Sequence, residues 1–319
     1  MRRVIHPGSV RRSSVLTVII FATNLIVVAT SNIALAVCPP NNSLYVSEYK
    51  AKDVQYYSPP GSLTEHPFVG MGVITGPTGM AYDSTSSTLY LSNTTKPSTN
   101  YILAIDSCGN ISKFSSDPLL GYPHGLRFDS SGNLFVATAG AMPNGMSVVE
   151  FLAGSSTPTV YANNSDAGVS FLAPVDVAVD HAGHVWVSDT KADLVYEFSS
   201  AHNLLRTISS TGAFGLAISN SGTTLFVSNQ KANSLSVPPP AFYVEKYDVV
   251  TGADLGPFID DSNRAVAIRN PLGILFDSMG NLFVANSAYD EIEVFSSSGV
   301  YKKSVATMPG GTPHFLLIH

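Results

Sequence analysis

Charge is what this sequence has least of: 13% of its 319 residues are Asp, Glu, Lys or Arg, about half the usual share of a soluble domain. With Gly, Pro, Ser, Thr and Asn abundant instead, the composition excludes a protein built mainly of amphipathic helices. It suits many short strands joined by tight turns. A basic surplus is missing too, since 17 Lys and Arg face 23 Asp and Glu, so no nucleic-acid partner is expected. Two cysteines are present, and neither has the setting of a nucleophile. The Gly-x-Ser-x-Gly elbow of the α/β-hydrolases is absent. "GMGVITG" (70–76) has the composition of a phosphate loop, but no helix pattern follows it.

The N-terminus follows a different pattern. Arg2, Arg3, Arg11 and Arg12 precede the apolar run "VLTVIIFATNLIVVA" (15–29), and Ala34-Leu35-Ala36 supplies a small-residue cleavage site, the three parts of a secretory signal. The expected organisation is a signal peptide at 1–36 and one mature domain at 37–319. The run is shorter than the ~20 residues a spanning helix needs, so no stable membrane span is expected after cleavage. Val37 occupies the place where a lipoprotein signal needs a small residue before Cys38. Losing four arginines and no acid moves the formal charge from −6 to −10. The expected location is secreted, periplasmic or extracellular. There the two remaining cysteines, Cys38 and Cys108, form a disulfide by the simplest reading. Asn41, Asn93, Asn110 and Asn163 each open an Asn-x-Ser/Thr triplet, which matters only in a eukaryotic source.

Within the mature chain one unit recurs. "YPHGLRFDSSGNLFVA" (122–137) and "NPLGILFDSMGNLFVA" (270–285) share a proline, a glycine two residues on, an aspartate, a Gly-Asn turn and the apolar alternation after it. The same pattern recurs in "GPTGMAYDSTSSTLYLSN" (76–93), "APVDVAVDHAGHVWVSD" (173–189) and "AFGLAISNSGTTLFVSN" (213–229). Each is followed by a third alternating run and a shorter fourth. Period-two alternation gives strands, and Gly-Asn or Gly-His gives the positive φ of a hairpin. Four antiparallel strands every forty to fifty residues, roughly, describe a propeller blade. Five units are complete. "NSLYVSEYKAKDVQYYS" (42–58) lacks a first strand and "GTPHFLLIH" (311–319) reads as a lone first strand, so their pairing predicts a sixth blade that closes the ring. The fold expected is an all-β six-bladed propeller of four-stranded blades.

This recurring Pro-x-Gly…Asp-x-x-Gly-Asn pattern, from about Cys38 to His319, resembles the NHL-repeat propellers and their six-bladed relatives, the gluconolactonase (SMP-30) type proteins and the peptide-amidating lyases. The resemblance implies that each blade's first strand lines the channel and that the residue before its glycine faces the channel mouth, where gluconolactonase-like proteins place metal ligands. In ring order those residues here are His314, Thr78, His124, Val175, Phe214 and Leu272: a polar arc facing an apolar one. Two readings stand for the imidazoles. Either His124 and His314 share a divalent ion, zinc or another transition metal, with an open position, or both are neutral and hydrogen-bonded to loop carbonyls or channel water. Amidating lyases would carry three histidines here, and Val175, Phe214 and Leu272 supply no third.

A second ring, after the second strands, holds Glu48, Asn93, Thr138, Asp189, Asn229 and Asn286. Bracing of the following loop is expected for most, with Glu48 the candidate third ligand or general base. The insertions 94–99, 139–146, 230–242 and 258–270 are expected at the rim of the channel mouth. His181 and His184 are expected on the opposite rim as exposed turn residues, and Asp260 and Asp261 as a solvated pair or a calcium site. Cys38 and Cys108 fall on one rim of adjacent blades, which predicts their bond at a Cα separation of about 4.4–6.8 Å. The functional expectation is a monomeric secreted propeller that binds a small molecule, peptide, glycan or protein at the channel mouth, through Thr78, Val175, Phe214 and Leu272. The alternative is a metal-assisted lyase or lactone hydrolase using His124, His314 and Glu48.

Overall fold

Each apolar run of the repeat becomes a strand. The computed structural model describes residues 20–21, 24–25, 38–58, 60, 66–69, 74–94, 100–140, 146–230, 242–260, 268–307 and 310–319. Apart from a two-residue strand pair, Ile20–Phe21 with Asn24–Leu25, the expected signal segment lies outside them. From Cys38 onward the described strands form six four-stranded antiparallel sheets, the blades of a propeller. Blade 1 starts with Pro77–Asp83, blade 2 with Pro123–Phe128, blade 3 with Pro174–Val179, blade 4 with Ala213–Ile218 and blade 5 with Pro271–Phe276. The closing blade takes its first strand from the C-terminus, Pro313–Ile318, and the rest from Leu44–Glu48, Asp53–Tyr57 and His66–Val69.

Closure is a full ladder: Pro313 pairs with Glu48, Leu316 with Val46 and Ile318 with Leu44. Ser43 and His319 exchange backbone hydrogen bonds at its end. Cys38 is bonded to Cys108, with Cα atoms 4.1 Å apart, a little closer than the range expected. The bond ties the arm ahead of the closing blade to blade 1. Among the described residues no helix is long and apolar enough to cross a membrane.

The repeat's polar residues have local work. In blade 2 the Asp129 carboxylate accepts the N–H groups of Ser131 and Asn133, and Asn133 Nδ2 returns a bond of 2.8 Å. Asp277 and Asn281 repeat this in blade 5, with Gly132 and Gly280 at φ 85° and 79°. Blade faces bury the apolar positions against their neighbours, as with Trp186, Tyr196, Phe171 and Phe198.

The recurrent glycine serves close approach at the axis. A Cβ on Gly79 would lie 2.3 Å from His124 O, and one on Gly215 2.5 Å from Leu272 O, so first strands meet there backbone to backbone. Hydroxyls fasten the same joints: Thr78 Oγ1 donates to Pro123 O at 2.9 Å and Thr190 Oγ1 to Ala213 O at 2.7 Å.

Candidate functional site at the channel mouth

In every blade the ladder between first and second strands slips just after the first-strand proline or its counterpart, between Pro123 and Leu126, for example, and between Pro313 and Phe315. The channel-mouth residue sits in that bulge, which re-aims its side chain out of the pleat. In three blades the slip falls on Pro-x-Gly, where proline cannot donate to the ladder and glycine tolerates the crowded backbone; Pro174-Val175-Asp176, Ala213-Phe214-Gly215 and Pro313-His314-Phe315 make the same slip with only part of that motif.

Bulges bring His124 and His314 together with ring centroids 6.2 Å apart and planes at 40°. His314 is enclosed by aromatic rings: Phe214 edge-on at 5.4 Å, Phe315 at 5.2 Å and Tyr49 at 5.7 Å. Both imidazoles are half-buried, retaining surface along the channel while protein surrounds them. Burial lowers His124 from 6.5 to about 4. Burial, reinforced by His124, lowers His314 to about 3. Both rings are therefore neutral at neutral pH. Each has a buried Nδ1 without a hydrogen-bond partner, so the expected bonds to loop carbonyls are not made by these atoms.

The apolar arc is present as a packed wall. Val175, Phe214 and Leu272 are buried in one cluster with Phe315. Thr78 is fully buried, and its hydroxyl bonded to Pro123 O braces blades 1 and 2 behind the mouth. Glu48 is buried with its carboxylate against Gly311, whose added Cβ would lie 2.6 Å from Oε2. Glu48, His124 and His314 do not gather to within 4.8 Å of one another, so Glu48 does not complete a three-residue ligand set there.

Four members of the second ring brace loops. Asn93 Oδ1 accepts from Thr75 and Gly76, the Asp189 carboxylate from Leu172 and Ala173, and Asn286 Oδ1 from Arg269, while Thr138 bonds Ser147. Much of the four insertions, residues 95–99, 141–145, 231–241 and 261–267, lies outside the described residues, as does Asp261. Phe258 to Asp260 belong to the strand Asp254–Asp260 and not to a loop.

His181 is exposed as expected, but His184 is not a free turn residue. It takes the asparagine's place in the Asp-x-x-Gly-Asn turn, with Nδ1 3.3 Å from Asp180 and 3.1 Å from Glu197. Asp180, His184 and Glu197 are the one metal-type triad among the described residues. Its carboxylates are already engaged: Arg206 pairs with Glu197, and Trp186 Nε1 and backbone N–H groups bond Asp180.

Asp176 escaped the sequence reading. In blade 3 it occupies the position of the recurrent glycine, and that substitution was the available signal. Its buried carboxylate accepts from Val177 N at 2.8 Å and Leu216 N at 2.9 Å and lies against Gly125. Burial pushes it up to about 6, and Arg127 pulls the other way.

Blade count, topology and ring closure define a six-bladed β-propeller. No protein-family model and no curated protein matches the sequence. Among solved structures, the chain is similar to a gluconolactonase from Xanthomonas campestris, with 17% identity, TM-score 0.62, and 87% of this chain and 91% of that one covered. A streptogramin B lyase aligns at 11% identity and TM-score 0.60, over 87% and 90%. A propeller in a nidogen/laminin complex aligns at 11% identity and TM-score 0.64, over 86% and 97%. At these identities the likeness concerns the fold alone, which has hosted lactonase, lyase and protein-binding functions.

Proposed function

We propose that this is a secreted binding propeller that holds its ligand at the channel mouth, between His124 and His314 on one side and Val175, Phe214 and Leu272 on the other. The observation that supports it is the pair of buried, unpartnered Nδ1 atoms. A buried polar atom without a partner costs about 1–3 kcal/mol, and two in one channel favour a guest that supplies the missing partners. Neutral imidazoles offer a donor or an acceptor at each nitrogen. The guest is therefore a small molecule, or a peptide, glycan or protein group, with polar atoms facing the histidines and an apolar side facing Phe214.

The centroid separation favours a second reading. Two imidazoles bound to one ion at about 2.0–2.1 Å place their centroids on the order of 5–6 Å apart, close to what is found. A metal-assisted lyase or lactone hydrolase would use such a pair. Catalytic zinc sites supply three protein ligands, and the described residues supply two, so this reading ranks second and no reaction step is assigned to it.

One titration tests both. Imidazole nitrogen resonances of chelator-treated protein are followed while zinc, then a panel of small hydroxylated and amide fragments, is added. Fragments that shift both His124 and His314 support the binding reading. Stoichiometric zinc, lost in His124→Leu, supports the metal. Resonances unmoved by either would overturn the channel mouth as a binding site.

A further inference from the structure

First strands run parallel around the axis, so their C-terminal ends surround a second mouth, on the rim of the first-to-second-strand turns. There a cavity of about 720 Å3 opens, lined by strand ends from five blades. Its size falls in the range of small-molecule sites, about 300–1,000 Å3. Val179, Ala217, Leu275 and Ile318 form apolar wall, and Arg127 is its cation.

Arg127 is half-buried and makes no hydrogen bond or ion pair among the described residues, an unusual state for a guanidinium with five donors. Of the other polar groups at this mouth, His181 and Ser278 are exposed at its edge, and Asp277 and Asn220 are engaged. The Asp277 carboxylate is taken by Met279 N, Asn281 N and Asn281 Nδ2, and Asn220 Nδ2 donates to Asp277 O. Asp176 lies one level deeper, held by Val177 and Leu216. It senses Arg127 through space without pairing with it.

We infer that this cavity is a second ligand site, which binds a small monocarboxylate with an apolar body: the carboxylate bidentate on Arg127, the body against Ala217 and Leu275. The planar fork of arginine matches a carboxylate in shape as well as charge. A second negative charge on the ligand would face Asp176, so a monoanion fits better than a phosphate dianion. The site is independent of the histidine mouth, since it lies at the far ends of the same strands.

The test is a two-dimensional NMR titration of the full mature chain with phenylacetate, phenylacetamide and phenyl phosphate. Phenylacetate should shift Arg127, Ala178, Ala217 and Leu275 while His124 and His314 stay still. The amide and the phosphate should each bind about tenfold weaker or worse, the scale of one charge-assisted contact. Arg127→Met keeps the aliphatic stem and should abolish the preference for acid over amide. Arg127→Lys keeps the charge without the fork and should retain part of it, which guards against a folding artefact. Equal binding of acid and amide, tighter phosphate binding, shifts confined to the histidine mouth, or no binding at millimolar concentration would overturn the proposal.

Discussion

Replacing both cysteines by alanine should cost this propeller about 3–4 kcal/mol, nearly all of it through the unfolded chain. The bond joins residues 70 apart in sequence, and closing a loop of that length removes roughly 15 cal/mol/K from the denatured ensemble, about 4 kcal/mol at 25 °C. Residual structure in that ensemble lowers the figure somewhat. Packing adds little, because Cys38 is exposed and Cys108 half-buried. The local effect is sharper. Cys38 stands just before the closing strands, so its release should fray Leu44–Glu48 and its partner Pro313–Ile318 before any other blade. His314 rides on that second strand, and its pKa, now about 3, should climb towards 6.5 as water enters. Urea unfolding at pH 7 measures the first effect, and hydrogen exchange with imidazole titration the second. A loss under about 1 kcal/mol would refute the loop-entropy argument. Exchange that rises first in blade 3 would refute the assignment of the bond to ring closure.

The two histidines and Asp176, all at the axis, should give stability opposite pH slopes. The histidines are depressed, His124 to about 4, so protonation favours the unfolded chain. Stability should fall as pH drops from 6.5 towards 4, and His124→Leu should remove up to about 3 kcal/mol of that fall in urea unfolding across this window. Asp176 is raised to about 6, so its charged form disfavours the fold. Its contribution should decline by roughly 2–3 kcal/mol as pH rises from about 4 to 6, and Asp176→Asn should flatten that component. Gly125→Ala would put a Cβ 2.1 Å from Asp176 Oδ1 and 2.9 Å from Val175 O; thermal unfolding should show a loss on the order of 1–3 kcal/mol. Arg206→Met leaves the Glu197 carboxylate buried with His184 and the like-charged Asp180 beside it. A loss of about 2–3 kcal/mol is expected at pH 7, shrinking as pH falls and Glu197 takes up a proton, and a pH-independent loss would show that the pair is not its source.

The blades were legible because their causes are local. Alternation, Pro-x-Gly and Asp-x-x-Gly-Asn each act within a few residues, so "YPHGLRF" and "DSSGNLFVA" specify a strand, a hairpin and a strand without reference to the remaining chain. Ring closure followed by elimination, since an unpaired strand at each end leaves one economical partner. The six mouth residues could be named too, but the fates of their side chains could not. Thr78 and His124 occupy equivalent places, yet Thr78 turns its hydroxyl back to Pro123 O while His124 meets His314, a choice set by what the neighbouring blade presents.

The same division runs through the charged residues. Sequence alone determined the propeller, its closure and the pairing of two cysteines, because each rests on periodicity, turn chemistry or count; the ring of mouth positions came from the family resemblance. Only the tertiary structure decided that Glu48 lies against Gly311 instead of joining the imidazoles, that His184 stands in for an asparagine beside Glu197, that Asp176 spans three first strands, and that Arg127 is left open in a cavity at the far mouth. Those outcomes depend on distances between blades dozens of residues apart, and on how much water survives between them. Burial and through-space charge are properties of the assembled ring, and no window of sequence contains them.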